Sequence, residues 1–262
     1  MRALPASLTV TALLLGCAGG GAVSPPATTG DSGGVQPADA SGGDGGFTPA
    51  GEDAATESGG SGPKTFGPIE DGIATYYAAT GEGNCSFDAS PGDLDVAALD
   101  TRQYQESAWC GACVRVEGPK GTVTVRVVDS CPTCESRTHV DLSESAFAKI
   151  AEPKDGRVKV RWQFVSCAVS GPIAYKFKEG SNEWWTAIQV RNHRHPVKSV
   201  EAKVSGAWTA LARASYNYFI AAKGLGKGPY ELRVTSIDGK VVTDPAIVFG
   251  EGKVVSGSSQ FE

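Results

Sequence analysis

The side chains best placed to do chemistry are two carboxylates, Asp129 and Asp141, in the stretch from Thr122 to Ile150. The first ends a run in which Val123, Val125 and Val127 alternate with polar residues, the period of a half-buried strand. Asp129 shares the parity of those valines, so its carboxylate is expected where the buried face opens. Asp141 follows a short loop holding Cys131 and Cys134. It precedes a helical pattern with Leu142, Ala146, Phe147 and Ile150 on one side. Two strand-end acids beside one opening predict a cleft for polar, hydroxyl-rich ligands.

Each residue also has a plainer reading. Asp141 with Glu144 spells a D-x-x-E capping box, but Ser143 is an equally good cap and would free Asp141. Asp129 before Ser130 could form a turn. Thr75 alone is an ordinary strand residue. His139 has no companions that would make it a metal ligand, and it is assigned a structural role. No metal or other cofactor is expected.

The chain must deliver these groups outside the cell. Met1-Arg2 and the apolar run Leu8 to Leu15 have the form of a signal peptide. It ends Leu14-Leu15-Gly16-Cys17, similar to a bacterial lipobox, which implies cleavage before Cys17 and a lipid anchor on its thiol. Ala18 at the next position implies the outer membrane in a Gram-negative cell, so an outer-membrane lipoprotein or an extracellular protein is expected. Residues 18–66 are rich in Gly, Ser, Ala, Pro and Thr with few large apolar groups, and are read as a disordered tether. No apolar run is long enough to span a bilayer.

The folded part divides by charge. Residues 67–171 hold ten Lys and Arg against fifteen Asp and Glu, whereas 172–262 hold twelve against eight. The mildly basic second half suits an acidic or neutral surface such as a cell wall, and the lack of a dense basic stripe argues against nucleic acid. A monomer is expected.

Six further cysteines fall in the first half: Cys85, Cys110, Cys113, Cys131, Cys134 and Cys167. The paired C-x-x-C spacing at Cys110/Cys113 and Cys131/Cys134 would fit a zinc ribbon, and Cys131/Cys134 alone a redox pair. Export favours three disulfides instead, since an even cysteine set in a small exported β domain is most simply a staple framework. Their pairing is not fixed by spacing.

The elements that carry these residues are mostly short strands. Ile73–Tyr77, Ala108–Glu117 and Val158–Val165 read as strands around the central one, which predicts a compact β-barrel with one helix. After a short hinge at Gly171-Pro172, strands are expected at Ala174–Lys178, Thr186–Arg191, Ser199–Val204, Ala207–Ala212, Tyr230–Thr235 and Lys240–Thr243, as in a sandwich. Trp184 and Trp185 are adjacent, so both can be exposed only off a regular ladder. Trp162 and Trp208 are expected in the cores, and His193-Arg194-His195 in a surface loop.

The motifs Gly72-Ile73-Ala74-Thr75-Tyr76-Tyr77, Val127-Val128-Asp129-Ser130-Cys131 and His139-Val140-Asp141-Leu142-Ser143, with the cysteine placements, resemble those of expansins, microbial expansin-like proteins above all. The likeness continues through Lys178–Trp185 and Ile188–Asn192, and so covers essentially all of 67–262. It implies an all-β chain: a six-stranded double-psi β-barrel at 67–171, related to family-45 glycoside hydrolases, followed by an immunoglobulin-like carbohydrate-binding sandwich at 172–262. It also implies the pairings Cys85–Cys110, Cys113–Cys167 and Cys131–Cys134.

By the same resemblance Thr75, Asp129 and Asp141 line a polysaccharide groove, Asp141 being the essential acid. Trp184, Trp185 and Tyr216 match a flat aromatic platform for cellulose, with Lys178 beside it. Bacterial relatives often carry a Tyr two residues after the first Asp, where this chain has Cys131; Tyr77 or Tyr104 is expected to stack there instead. The related hydrolases place a base soon after the motif matching Thr75–Tyr77, but Ala78, Ala79, Thr80 and Gly81 follow here, with no carboxylate before Glu82.

An inverting glycosidase needs that base roughly 6.5–9.5 Å from its acid. The expectation is therefore a non-hydrolytic wall-loosening protein rather than an enzyme, acting on cellulose, xyloglucan or other β-glucans, with acidic wall polymers as further partners. The enzymatic alternatives are a weak endoglucanase or a peptidoglycan lytic transglycosylase of the rare lipoprotein A type. A purely adhesive protein with an inert barrel is a third reading.

Overall fold

A computed structural model describes residues 62–262. The expected signal peptide at 1–17, the lipidation site Cys17 and nearly all of the tether at 18–66 lie outside the described residues. The tether gives way to structure slightly early, because the first strand, β1 (Thr65–Tyr77), starts ahead of residue 67.

The first domain is a closed barrel of β1, β2 (Val96–Asp100), β3 (Cys113–Gly118), β4 (Gly121–Cys131), β5 (His139–Ser143) and β6 (Val158–Val165), in the order β1-β5-β2-β4-β3-β6. The β1–β5 and β2–β4 pairs are parallel and the rest antiparallel. Val114, Val116, Val123, Val125, Val127, Val160, Trp162 and Phe164 fill the interior by alternation. Burying each such side chain stabilises the fold by about 1.5–3 kcal/mol. A single-turn helix α1 (Thr101–Tyr104) follows β2, and the helix α2 (Glu144–Ile150) lays Phe147 and Ile150 on that core. Ser143 Oγ caps it by accepting from Ala146 N at 3.1 Å, so Asp141 is free of that duty, as the sequence allows.

Two expectations fail here for local reasons. The strand expected at Ala108–Glu117 begins only at Cys113, because turn bonds close 107–112 (Cys110 N to Ser107 O, 3.1 Å; Ala112 N to Trp109 O, 3.0 Å). The parity argument for Asp129 also fails. Ala97 lies opposite Val127 and Ala98 opposite Asp129, so Val128 is an extra residue. This bulge buries Val127 and Val128 together and turns Asp129 to the outer face.

The second domain stacks a sheet of β10 (Ala207–Ala210), β9 (Val197–Val204), β13 (Tyr230–Ser236) and β14 (Val241–Ile247) on another. That second sheet holds β11 (Ala212–Arg213), β12 (Phe219–Ala221), β8 (Thr186–Arg191), β7 (Ala174–Phe177) and β15 (Val254–Ser256). Tyr175, Phe177, Ile188, Phe219 and Leu232 form its core.

Trp208 is not among the core residues. It pairs with Lys203 on the outer face of β10, and the Arg233 guanidinium lies 4.4 Å from its ring centroid. Its neighbour Thr209 shares the face of buried Ala202 but is itself exposed, because β10 is the sheet's edge strand. Trp162 is in the barrel core as expected.

His193 and His195 also depart from expectation, being buried rather than on a surface loop. His193 Nδ1 meets His195 O at 2.9 Å, and burial pushes its pKa down to about 4. The expected hinge at Gly171-Pro172 is clasped, with Asn192 Nδ2 donating to both Ser170 O and Pro172 O at 2.8 Å. Gln189, wholly buried, donates to Cys85 O at 2.8 Å, and Asp88 receives both Lys176 (2.6 Å) and Arg191 (2.5 Å). Barrel and sandwich are therefore joined by polar bonds, the Gln189 one buried and the Asp88 pair exposed, as well as by the chain. The three disulfides are Cys85–Cys110, Cys113–Cys167 and Cys131–Cys134, the pairings the resemblance implies.

Candidate functional site

Four adjacent barrel strands bring one residue each into a single row. Thr75 on β1 is the register partner of Asp141 on β5, Asp141 that of Ala98 on β2, and Ala98 that of Asp129 on β4. Neighbouring strands lie about 4.8 Å apart, so the two acids start from backbones ~10 Å apart on one outer face. Ala98 between them is covered by Tyr77 and the Cys131–Cys134 pair, while both acids stay part-exposed. The bulge at Val127–Val128 is what sets Asp129 in this row, and the strand β5, hidden in the sequence behind a cysteine loop, is what places Asp141.

The acids differ in environment. Thr75 Oγ1 donates to Asp141 Oδ1 at 2.6 Å. Burial raises the Asp141 pKa above the usual carboxylate value; the Thr75 bond and the nearby His139 oppose that rise, and the charge of Asp129 adds to it. Asp129 Oδ1 instead accepts two backbone amides, from Asn84 at 2.7 Å and Ser130 at 2.8 Å. Asn84 reaches it because Gly83 passes close over the acid: a Cβ on Gly83 would lie 2.4 Å from Asp129 Cγ. Neither Gly83 nor Asn84 stands out in the sequence.

Behind Thr75 stands His139, with its Nε2 2.8 Å from Thr75 Oγ1 and its Nδ1 3.1 Å from Glu135 N. From sequence alone His139 is assigned only a structural part. Tyr77 packs with Ala98, Cys131 and Cys134, and its hydroxyl is buried without a partner. Burial, then the charges of Asp129 and Asp141, hold that phenol un-ionised.

Tyr104, the other ring proposed for stacking, is buried and donates to Ser215 O at 2.8 Å, so it offers no face to a ligand. Among the described residues no cluster of His, Cys, Asp and Glu could hold a metal ion. A depression of about 600 Å³ beside Phe87, Arg126, Arg191 and His193 excludes both acids. The acids sit part-exposed on an outer face of the barrel instead.

On the second domain, Trp184 and Trp185 leave the ladder in a tight turn. Asn182 Oδ1 accepts from the backbone N of both, at 2.9 and 3.1 Å. Gly224 lies against this turn so closely that a Cβ there would be 2.0 Å from Glu183 O. Trp184 is 74% exposed and Trp185 half-buried, so the adjacent pair escapes the alternation of a strand.

Tyr216 is 36% exposed and sits 5.9 Å from the Tyr218 ring, over which Lys178 Nζ lies at 5.8 Å. The Tyr216 loop is held by the barrel: Ser107 Oγ donates to Ala214 O at 2.8 Å and Arg213 donates back to Ser107 O at 3.0 Å. Gln105, Glu106 and Ser107 all have positive φ, a cost of order 1–3 kcal/mol each borne at this junction.

Comparison with known proteins gives a consistent set. The family model described as "Lytic transglycolase" matches residues 69–162. Expansin-YoaJ of Bacillus subtilis is 38% identical over 184 residues, covering 68% of this chain and 78% of that protein. Expansin-like protein 5 of Dictyostelium discoideum is 35% identical over 207 residues, covering 74% of this chain and 85% of that protein. The crystal structure of apo Clavibacter michiganensis expansin superposes with a TM-score of 0.69 at 33% identity, covering 74% of this chain and 98% of that one. An Asp-to-Asn variant of that expansin, solved in complex with cellohexaose, gives a TM-score of 0.69 at 32% identity, with the same coverage of both chains.

Proposed function

This chain belongs to the expansin family, and from that premise we propose that it loosens cell walls without cutting glycosidic bonds, by binding cellulose and associated glucans and displacing their contacts with one another. The observation that carries this reading is the row Thr75–Asp141–Ala98–Asp129. It offers one acid with a raised pKa, part-exposed on an outer face of the barrel, while the second acid is already engaged by two backbone amides. The complex of a related expansin with cellohexaose supports a glucan as ligand.

In this proposal Asp141 hydrogen-bonds a glycosidic oxygen or a sugar hydroxyl, with Thr75, Asp129 and Tyr77 completing the site. A glucan–glucan hydrogen bond and the protein–glucan bond that replaces it are each worth about 1 kcal/mol net, so every exchange is nearly neutral and polymers slip by many small steps. Trp184, Trp185 and Tyr216 hold the protein on the polysaccharide by stacking, with Lys178 alongside. Cellulose, xyloglucan and other β-glucans are the proposed partners, acidic wall polymers further ones. Anchoring through Cys17 after export is the proposed location.

Creep of heat-inactivated plant wall strips under load is the test. Wild-type protein should extend them and Asp141→Asn should not; equal extension would leave the barrel an inert spacer. A second reading, peptidoglycan lysis, is favoured by the description of the family model over 69–162. Release of soluble muropeptides from purified sacculi would replace the first reading with it.

A further inference from the structure

The polar chain behind Asp141 has a direction fixed by its donors. The backbone N–H of Glu135 can only donate, so His139 Nδ1, 3.1 Å away, is the bare acceptor nitrogen of the ring. The neutral imidazole then carries its proton on Nε2, which donates to Thr75 Oγ1 at 2.8 Å. Thr75 has one hydroxyl proton, and it goes to Asp141 Oδ1 at 2.6 Å. Among the described residues Asp141 receives no other donor, so Oδ2 is left unengaged.

We propose that His139 is a positioning residue of the groove: its Nε2–H commits the Thr75 hydroxyl to Asp141 Oδ1 and so leaves Asp141 Oδ2 as the atom presented to a sugar hydroxyl. The role of that oxygen rests on the glucan-binding reading above; the relay itself does not. Asp141, Glu135, Arg157 and Asp100 are the charged groups around the ring, and Glu135 is itself tied to Arg157 at 2.6 Å.

Burial holds the His139 pKa below its ordinary value against the pull of the three acids. The relay is therefore intact above that lowered pKa and is lost as pH falls through it. A proton on Nδ1 would then meet the Glu135 N–H head-on.

Two amides separate this role from a merely structural one. The side-chain amide of Gln reaches the position of Nε2 and keeps the donor to Thr75. That of Asn reaches only Nδ1 and keeps the acceptor for Glu135. The Asp141 side-chain carboxyl is titrated by carbon-13 NMR in unliganded protein, with Thr75→Val marking complete loss of the relay.

The proposal expects Thr75→Val to raise the Asp141 midpoint, His139→Asn to move it most of the way to that limit, and His139→Gln to stay with wild type. A His139→Gln midpoint at the Thr75→Val limit, or a His139→Asn midpoint at the wild-type value, overturns it. If His139→Asn does not fold, His139→Gln against Thr75→Val still decides. No sugar is present, so failure here counts against the relay alone, whereas failure of cellohexaose to bind counts against the glucan-binding reading.

Discussion

Removing the Trp184 ring is the change whose size follows most directly from the geometry. An aromatic side chain of this size has about 250 Å² to bury, and 74% of Trp184 is open to solvent. Stacking one face on a sugar would cover about half of that open surface, ~90 Å², worth ~2 kcal/mol at about 25 cal/mol per Å². At roughly 1.4 kcal/mol per tenfold, Trp184→Ala should weaken retention on cellulose about 30-fold.

Tyr216, only 36% exposed, offers less than half as much. By the same reasoning Tyr216→Ala should cost ~1 kcal/mol, about fivefold. Depletion isotherms on microcrystalline cellulose measure both. The exposed Trp184 ring should be removable with a melting temperature within a degree or two of wild type, whereas Tyr216 lies beside buried Tyr218 and its loss should lower the melting temperature slightly. Trp184→Ala binding within twofold of wild type, or Tyr216→Ala binding the weaker of the two, would refute the stacking argument.

Other outcomes follow from the same structure. Ser143→Ala removes the α2 cap and leaves Leu94 O with only the long bond from Ser145 Oγ at 3.4 Å, a loss of about 1.5 kcal/mol and roughly 3–6 °C in melting temperature. Loop closure ranks the disulfides by the residues they span, 54 for Cys113–Cys167, 25 for Cys85–Cys110 and 3 for Cys131–Cys134. Replacing each pair with Ser should therefore cost ~4, ~3.5 and ~1.5 kcal/mol in denaturant titrations, and a reversed order would contradict the entropic account.

The raised pKa of Asp141 means the folded protein holds its proton more tightly than the unfolded chain. Its contribution to stability is thus present at low pH and is lost as pH rises from about 4 through the folded value. Asp141→Asn should then melt higher than wild type at pH 7, with the gap closing near pH 3. A gap that widens toward acid would reverse the sign.

The strands were legible where alternation was clean. Val158–Val165 ends where its pattern does, because burial decides both faces of that ladder. β2 and β5 were not legible. Val96–Asp100 is buried throughout and shows no period, and His139–Ser143 is too short and too close to a helix cap to stand out.

Asp129 was found for a reason that proved wrong. Its parity is broken by an extra residue whose presence depends on pairing with β2, a contact far away in sequence. His139 was passed over because its partners, Thr75 and Glu135, come from another strand and a loop. Trp184 and Trp185 were legible only through family likeness, since the exposure of both rests on an Asn182 turn and on Gly224.

The central claim is that Asp141 grips a glucan without helping water to cut it. Cellohexaose incubated for days with purified protein and analysed by chromatography tests this most directly. The account predicts that the hexamer is recovered intact, with wild type and Asp141→Asn indistinguishable. Shorter oligomers that accumulate with time under wild type and vanish with Asp141→Asn would contradict it.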